Sequence, residues 1–173
     1  MNREGNPITI KKVVELSTRS ADIVRDHNQY LRINIETHMM LVITDLAGVI
    51  NAEKSQVFHG AKSVPMELAN ASLGIFSLLG IIAHLKPFPD ISEEEFQYEY
   101  EQGLIQTQCS IPLSLYKVVT KIITNDLGHQ PLWYVAECMQ RVIAMIFAIA
   151  ENHGINLLDT IETKLNDYAS KSE

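Results

Sequence analysis

Apolar residues recur at helical spacing along almost the whole chain, and no run alternates apolar with polar residues over the four to eight positions a half-buried strand needs. That one property removes every sheet-based architecture and leaves an all-α fold. The repeat predicts a first helix over about 8–27, entered through Asn6-Pro7 as cap and first-turn proline, with Ile10, Val13, Val14, Ala21 and Val24 on one face. Asn34 can cap a second helix over about 35–54. Ser55 to Ser63 reads as a loop, and a third helix should run from Pro65 to Leu85. Its apolar residues point all round, which marks a central helix or half of an oligomer interface.

Lys86-Pro87-Phe88-Pro89-Asp90 stops that helix. Ser92 with Glu95 forms a capping box for an acidic fourth helix over about 93–102. Pro112 opens a fifth, with Leu115, Val118, Val119, Ile122 and Ile123 on one face. A sixth covers about 132–152 and ends at Gly154, and Asn156 caps a last one to about 168. Short connections between seven helices argue for one antiparallel all-α bundle, 1–173, with helices two, three, five and six at its centre. The α-hairpins in 35–86 and 112–168 echo each other. Their residue-level match is poor, so a duplication and an ordinary bundle both remain open.

Composition narrows the function classes. With 173 residues the chain can bury a core without a staple. Cys109 and Cys138 are its only cysteines, which excludes a disulfide framework and a zinc ribbon. The net charge is −7 and the one adjacent basic pair is Lys11-Lys12, so a nucleic-acid-binding face is not expected. Met1 to Asn6 has no apolar core of a signal peptide, and Ala71 to Leu85 reads as too short to cross a bilayer. The expectation is a cytoplasmic protein with reduced thiols and no membrane partner. Helix three, greasy on every side, also predicts a homodimer.

Chemistry concentrates in few places. Asp45 sits among Leu41, Val42, Gly48 and Val49, where an ionised carboxylate is costly unless paired, solvated or metal-bound. Glu67 and Asn70 share a face of helix three, and the line continues through Gly74, Ser77 and His84, giving a polar stripe that would line a ligand slot facing Asp45. Acid in a first turn also suits the helix dipole, and small residues also serve close packing. Glu137, Gln140 and Arg141 open helix six in the same manner, with Glu137 and Arg141 at ordinary ion-pair spacing. The six histidines show no zinc-helix spacing, and P-loop, GxGxxG, GxSxG and HExxH motifs are absent.

Residues 34–54, Asn-Ile-Glu-Thr-His-Met-Met-Leu-Val-Ile-Thr-Asp-Leu-Ala-Gly-Val-Ile-Asn-Ala-Glu-Lys, resemble the first metal-binding helix of the MazG-like all-α nucleoside triphosphate pyrophosphohydrolases. Met66-Glu67-Leu68-Ala69-Asn70 and the helix that follows resemble their second. The segment from Ala136 to Tyr168, with Gly154-Ile155-Asn156-Leu157, resembles that second helix again, running into the family's last turn and helix. The resemblance covers about half of the chain. It implies a helical fold and a magnesium-dependent cleavage of a nucleoside triphosphate to monophosphate and pyrophosphate.

The family's pattern is ExxE on one helix and ExxD on the next, four carboxylates suited to a hard dication. This chain has Asp45-Leu46-Ala47-Gly48, Glu67-Leu68-Ala69-Asn70 and, in the later copy, Glu137-Cys138-Met139-Gln140. The resemblance therefore implies Asp45, Glu67 and Asn70 as magnesium ligands with two acids missing. Ser77, His84 and Glu137 stand as ligand-contact candidates. Glu53, Glu137 or an acid from a second subunit could replace a missing carboxylate. Two readings follow: a MazG-like nucleotide hydrolase with a weakened or lost site, or a non-catalytic helical protein that binds a small molecule or a protein partner.

Overall fold

A computed structural model describes residues 8–26, 35–57, 59–60, 62–87, 89–125 and 127–170. Among them the chain is all helical: α1 (Ile10–Asp26), α2 (Ile35–Lys54), α3 (Val64–Leu85), α4 (Glu93–Gln106), α5 (Ile111–Thr124), α6 (Leu132–Asn152) and α7 (Leu157–Ser170), with one 3-10 turn at Leu127–His129 and no strand. The all-α bundle expected from the periodicity is the fold found.

Helix ends follow local chemistry. Ser92 accepts from Glu95 N while the Glu95 carboxylate accepts from Ser92 N, so the capping box that begins α4 is complete. Gly154 has φ +66°, the left-handed backbone that glycine adopts without strain, and Ile155 N donates back to Ala150 O to close α6. Asn156 caps α7 through Oδ1, which accepts from Asp159 N. The caps expected at Asn6-Pro7 and Asn34 lie outside the described residues. Within them, Thr9 Oγ1 accepts from Lys12 N at the start of α1, and Ile10 N donates to the Glu93 carboxylate of α4.

The packing has two layers. Helix α3 touches α1, α2, α6 and α7, while α6 touches α3, α4, α5 and α7. These two are the centre, and most of their residues are buried. Helices α2 and α5 pack on α3 and α6 and on each other, so they form an outer layer and not the inner pair expected of them. The physical reason is breadth of the apolar face: α2 buries Met39, Val42, Leu46, Val49 and Ala52, a single stripe, whereas α3 buries residues on every side. The hairpins α2/α3 and α5/α6 thus lie side by side. Helix α7, counted with the second hairpin by sequence, packs chiefly on α3 of the first.

Two details differ from expectation. The segment read as too short for a membrane belongs to a 22-residue helix, and both α3 and α6 are long and apolar enough to span one; 61% and 72% of their apolar windows are buried against the rest of the chain. Helix α3 is also enclosed by its own neighbours, which removes the argument that it must be an oligomer interface.

Candidate functional site

The α2/α3 hairpin brings Asp45, Gly48, Glu67 and Asn70 to one place. Leu46, Val49 and Leu68 are fully buried and fix the rotation of the two helices about each other. That rotation leaves the half-buried Asp45, Gly48, Glu67, Asn70 and Gly74 along the seam between them. At Gly48 the α2 backbone runs so close to Glu67 that a Cβ there would lie 3.0 Å from Glu67 Oε2. Asn70 Nδ2 donates to the same Oε2 at 3.2 Å. Further along the seam, a Cβ at Gly74 would lie 3.3 Å from Val42 Cγ2 and 3.8 Å from Asp45 Oδ2. The two glycines let the helices approach over the acids.

The electrostatics agree with the geometry. Partial burial, and next the negative charge of Glu67, push the Asp45 carboxyl above its ordinary range, while Lys164 of α7 draws it back. Two carboxylates and one ammonium from three helices therefore share one field. Lys164 also stands 6.0 Å from the centroid of the Tyr168 ring, one turn further along α7.

The other candidates stand elsewhere. Ser77 continues the α3 stripe half-buried, but ten residues of helix separate it from Glu67 by about 15 Å along the axis. His84 is exposed at the far end of α3, about 25 Å from Glu67 by the same rise. It lines a separate cleft of about 210 Å³ with Ser17, Thr18 and Asp22 of α1, Asp90 and Gln140. The stripe is thus two places rather than one slot facing Asp45. Glu137 is bonded to Arg141 Nη2 at 2.9 Å, the ordinary ion pair its spacing allows. Arg141 Nη1 also reaches Glu99 at 2.9 Å, and Glu99 takes Lys121 at 3.0 Å, so this network ties α4, α5 and α6.

Two residues were not visible as contributors in the sequence. Lys164 reaches the site from a helix more than ninety residues beyond Asn70, with no local pattern to announce it. Gln140, read as part of the polar group that opens helix six and as the place of a missing acid, is 1% exposed and acts as a peg: Ile91 N donates to its Oε1 at 3.1 Å and its Nε2 donates to Asp90 Oδ1 at 2.6 Å. Its amide holds the chain between α3 and α4 against α6. A lone amide within an apolar helix was the available signal.

The donor set does not suit a tightly held magnesium ion. Asp45 and Glu67 give two carboxylates, and Asn70 turns its NH₂ toward Glu67, so it occupies a carboxylate lone pair that a cation would need. Glu53 Oε2 is buried without a hydrogen-bond partner, yet no group of three or more His, Cys, Asp or Glu is placed to share a metal among the described residues. Glu137 is held by Arg141. Comparison of the chain with protein families, curated proteins and solved structures gives no match.

Proposed function

We propose that the chain is a relative of the MazG-like pyrophosphohydrolases in which the hydrolytic centre has been reduced, so that magnesium-dependent nucleotide hydrolysis is weak or absent. The observation that carries this reading is the convergence of positions 45, 48, 67 and 70 around the Glu67 carboxylate. Those are the four positions at which the resemblance sets its acids, and sequence spacing alone does not bring two helices together in that register. Two of the four lack the charge: Gly48 has no side-chain oxygen, and Asn70 contributes an amide.

What this seam retains is a pair of carboxylates on two closely packed helices, with the Lys164 charge acting on Asp45. Asp45 and Glu67 are hydrogen-bond acceptors, and the charge of Lys164 partly offsets their shared negative charge. A nucleotide or another small polar molecule fits that chemistry better than an apolar one. The second reading, a non-catalytic helical binding module, is favoured by the same two substitutions and differs in having no residual turnover.

The test is pyrophosphate release with Mg²⁺ across a panel of nucleoside triphosphates, for the chain as it stands and for Gly48→Glu combined with Asn70→Asp. The reading expects turnover near background for the first and a clear gain of Mg²⁺ affinity for the second. Brisk magnesium-dependent turnover by the unaltered chain, abolished by Asp45→Ala, would overturn the reduced-site reading in favour of an active enzyme.

A further inference from the structure

Helices α4 and α5 both lie on α6, and a trench of about 370 Å³ runs between them. Glu99, Gln102 and Gln106 of α4 form one wall, Lys117 and Lys121 of α5 form the other, and Met145 of α6 lies beneath. Gly103 also faces the trench, and a Cβ there would lie 2.8 Å from Ala148 Cβ, so α4 sits directly on α6. The trench is thus a recess of the fold rather than a gap among loose side chains. Lys117 reaches across to Gln106 and Lys121 to Glu99, so the two helices are antiparallel. Those anchor points are separated by about 10 Å of helix, with the uncharged Gln102 and Gly103 between them.

The charges in the trench do not balance. Two ammonium groups face one carboxylate, in a chain whose net charge is −7. That carboxylate is already shared: Glu99 Oε1 takes Arg141 Nη1 at 2.9 Å and Oε2 takes Lys121 Nζ at 3.0 Å. Partial burial opposes its ionisation, yet the bonds from Lys121 and Arg141 hold the Glu99 carboxyl below its ordinary range. Arg141 is balanced behind the trench by Glu137 at 2.9 Å and Glu95 at 3.5 Å. Lys117 meets a carbonyl oxygen instead of a carboxylate: its Nζ donates to Gln106 O at the end of α4. A cation there also suits the helix dipole, but an ammonium has three donors and a carbonyl bond uses one. Both lysines are half-buried, where a charge is felt more strongly than in open water.

We infer that the α4/α5 trench binds a small elongated molecule with a phosphate group at each end, one held by Lys117 and the other by Lys121, with Gln102 hydrogen-bonding its polar middle. An apolar ligand would leave these walls without partners, and a ligand with a single anionic end would engage one ammonium only. Nucleic acid wants a broad basic surface, and this basic character is confined to one recess. The volume lies within the range of about 300–1,000 Å³ usual for small-molecule sites. None of these residues belongs to the α2/α3 seam, so the inference stands independently of the pyrophosphohydrolase reading.

The experiment is titration calorimetry of the full chain, in chelator and without magnesium, against fructose bisphosphate, fructose monophosphate and inorganic phosphate. The bisphosphate should bind roughly tenfold or more tightly than either of the others, and more weakly as salt is raised. Lys117→Gln and Lys121→Gln should each lower its affinity roughly tenfold. Lys117→Gln breaks no ion pair, so it tests the site without loosening the fold. Gln102→Glu, which sets a negative charge in the middle of the trench, should abolish binding, while Lys11→Gln at an exposed position of α1 should leave it unchanged. Circular dichroism on every variant checks that helical content is kept. No binding of the bisphosphate at millimolar concentration, equal binding of bisphosphate and monophosphate, or an affinity untouched by both lysine substitutions would each overturn the proposal.

Discussion

Gly48, Asn70 and Gly80 each stand where a side chain meets a neighbour, and the neighbour decides the outcome. At Gly80 an added Cβ would come within 2.3 Å of Ser17 O and 2.6 Å of Ala21 Cβ, so it meets the body of α1. Gly80→Ala should therefore force α1 away from α3 and cost about 1–3 kcal/mol, read as a lower midpoint in urea. At Gly48 the first atom met is the end of the Glu67 side chain, which can swing. Alanine also gains up to about 1 kcal/mol of helix propensity over glycine, so Gly48→Ala should be neutral or stabilising in the same titration. Asn70→Asp removes the donor to Glu67 and sets a third carboxylate in the seam. It should lower stability by about 1 kcal/mol in chelator. Added Mg²⁺ or Mn²⁺ should then recover much of that loss if the seam is the relic of a metal site. The sequence made these acids legible because their spacing on each helix is local information. It could not separate Ser77 and His84 from them, because residues on one helical stripe share a direction over any distance while a site has a radius of a few ångströms. Asn70 likewise read as an oxygen donor, and only the placement of Glu67 shows its amide donating instead.

Among the elements, α7 is the least predictable from its own residues. Its periodicity and its Asn156 cap were plain, but its docking on α3 and α1 depends on partners about 80 to 150 residues away. Glu162 is the tie. Lys12 Nζ lies 2.7 Å from Glu162 Oε1, and Arg19 Nη1 lies 2.6 Å from Oε2, one clasp from each of two turns of α1. The bond from Lys12 first, and that from Arg19 after it, hold the Glu162 carboxyl below its ordinary value against the opposing effect of partial burial. A carboxyl lowered on folding adds stability that is complete above its unfolded value, here near 4.5, and that disappears as the pH falls through the lower folded value. Glu162→Gln should thus cost about 0.5–1 kcal/mol at pH 7, since both partners reach solvent. The cost should be smaller at pH 3, below the unfolded value of 4.5. Melting curves at the two pH values check it, and an equal loss at both would mean that packing rather than charge holds α7. Helices α2 and α6, by contrast, have the bounds their periodicity predicts, because their ends are set by neighbouring Gly, Pro and polar residues within a few positions.

Over the whole molecule, the question is whether two stacked hairpins behave as two units or one. The buried residues answer through their connectivity: a single apolar cluster runs from Ile8 through α2, α3, α5 and α6 to Leu165. Helices α3 and α6 pack directly on each other, and α7 returns from the second hairpin to the first. A loss in one half must then be felt by the other. Phe76 on α3 and Phe96 on α4 are both fully buried, one on each side of the bundle. Phe76→Ala and Phe96→Ala should each cost about 3–5 kcal/mol. For a domain of this size each kcal/mol lowers the melting temperature by roughly 2–4 °C. Calorimetry should show both variants melting in one transition moved down by a similar amount, with calorimetric and van't Hoff enthalpies equal. If the hairpins were independent, each substitution would split the transition and leave one half at the original temperature, because the undamaged core would not register the cavity. The direct α3–α6 contact makes the single transition the expected result: exposing either hairpin alone would bare the most apolar helix face in the chain to water, and no intermediate that does so competes with the folded or the fully unfolded chain.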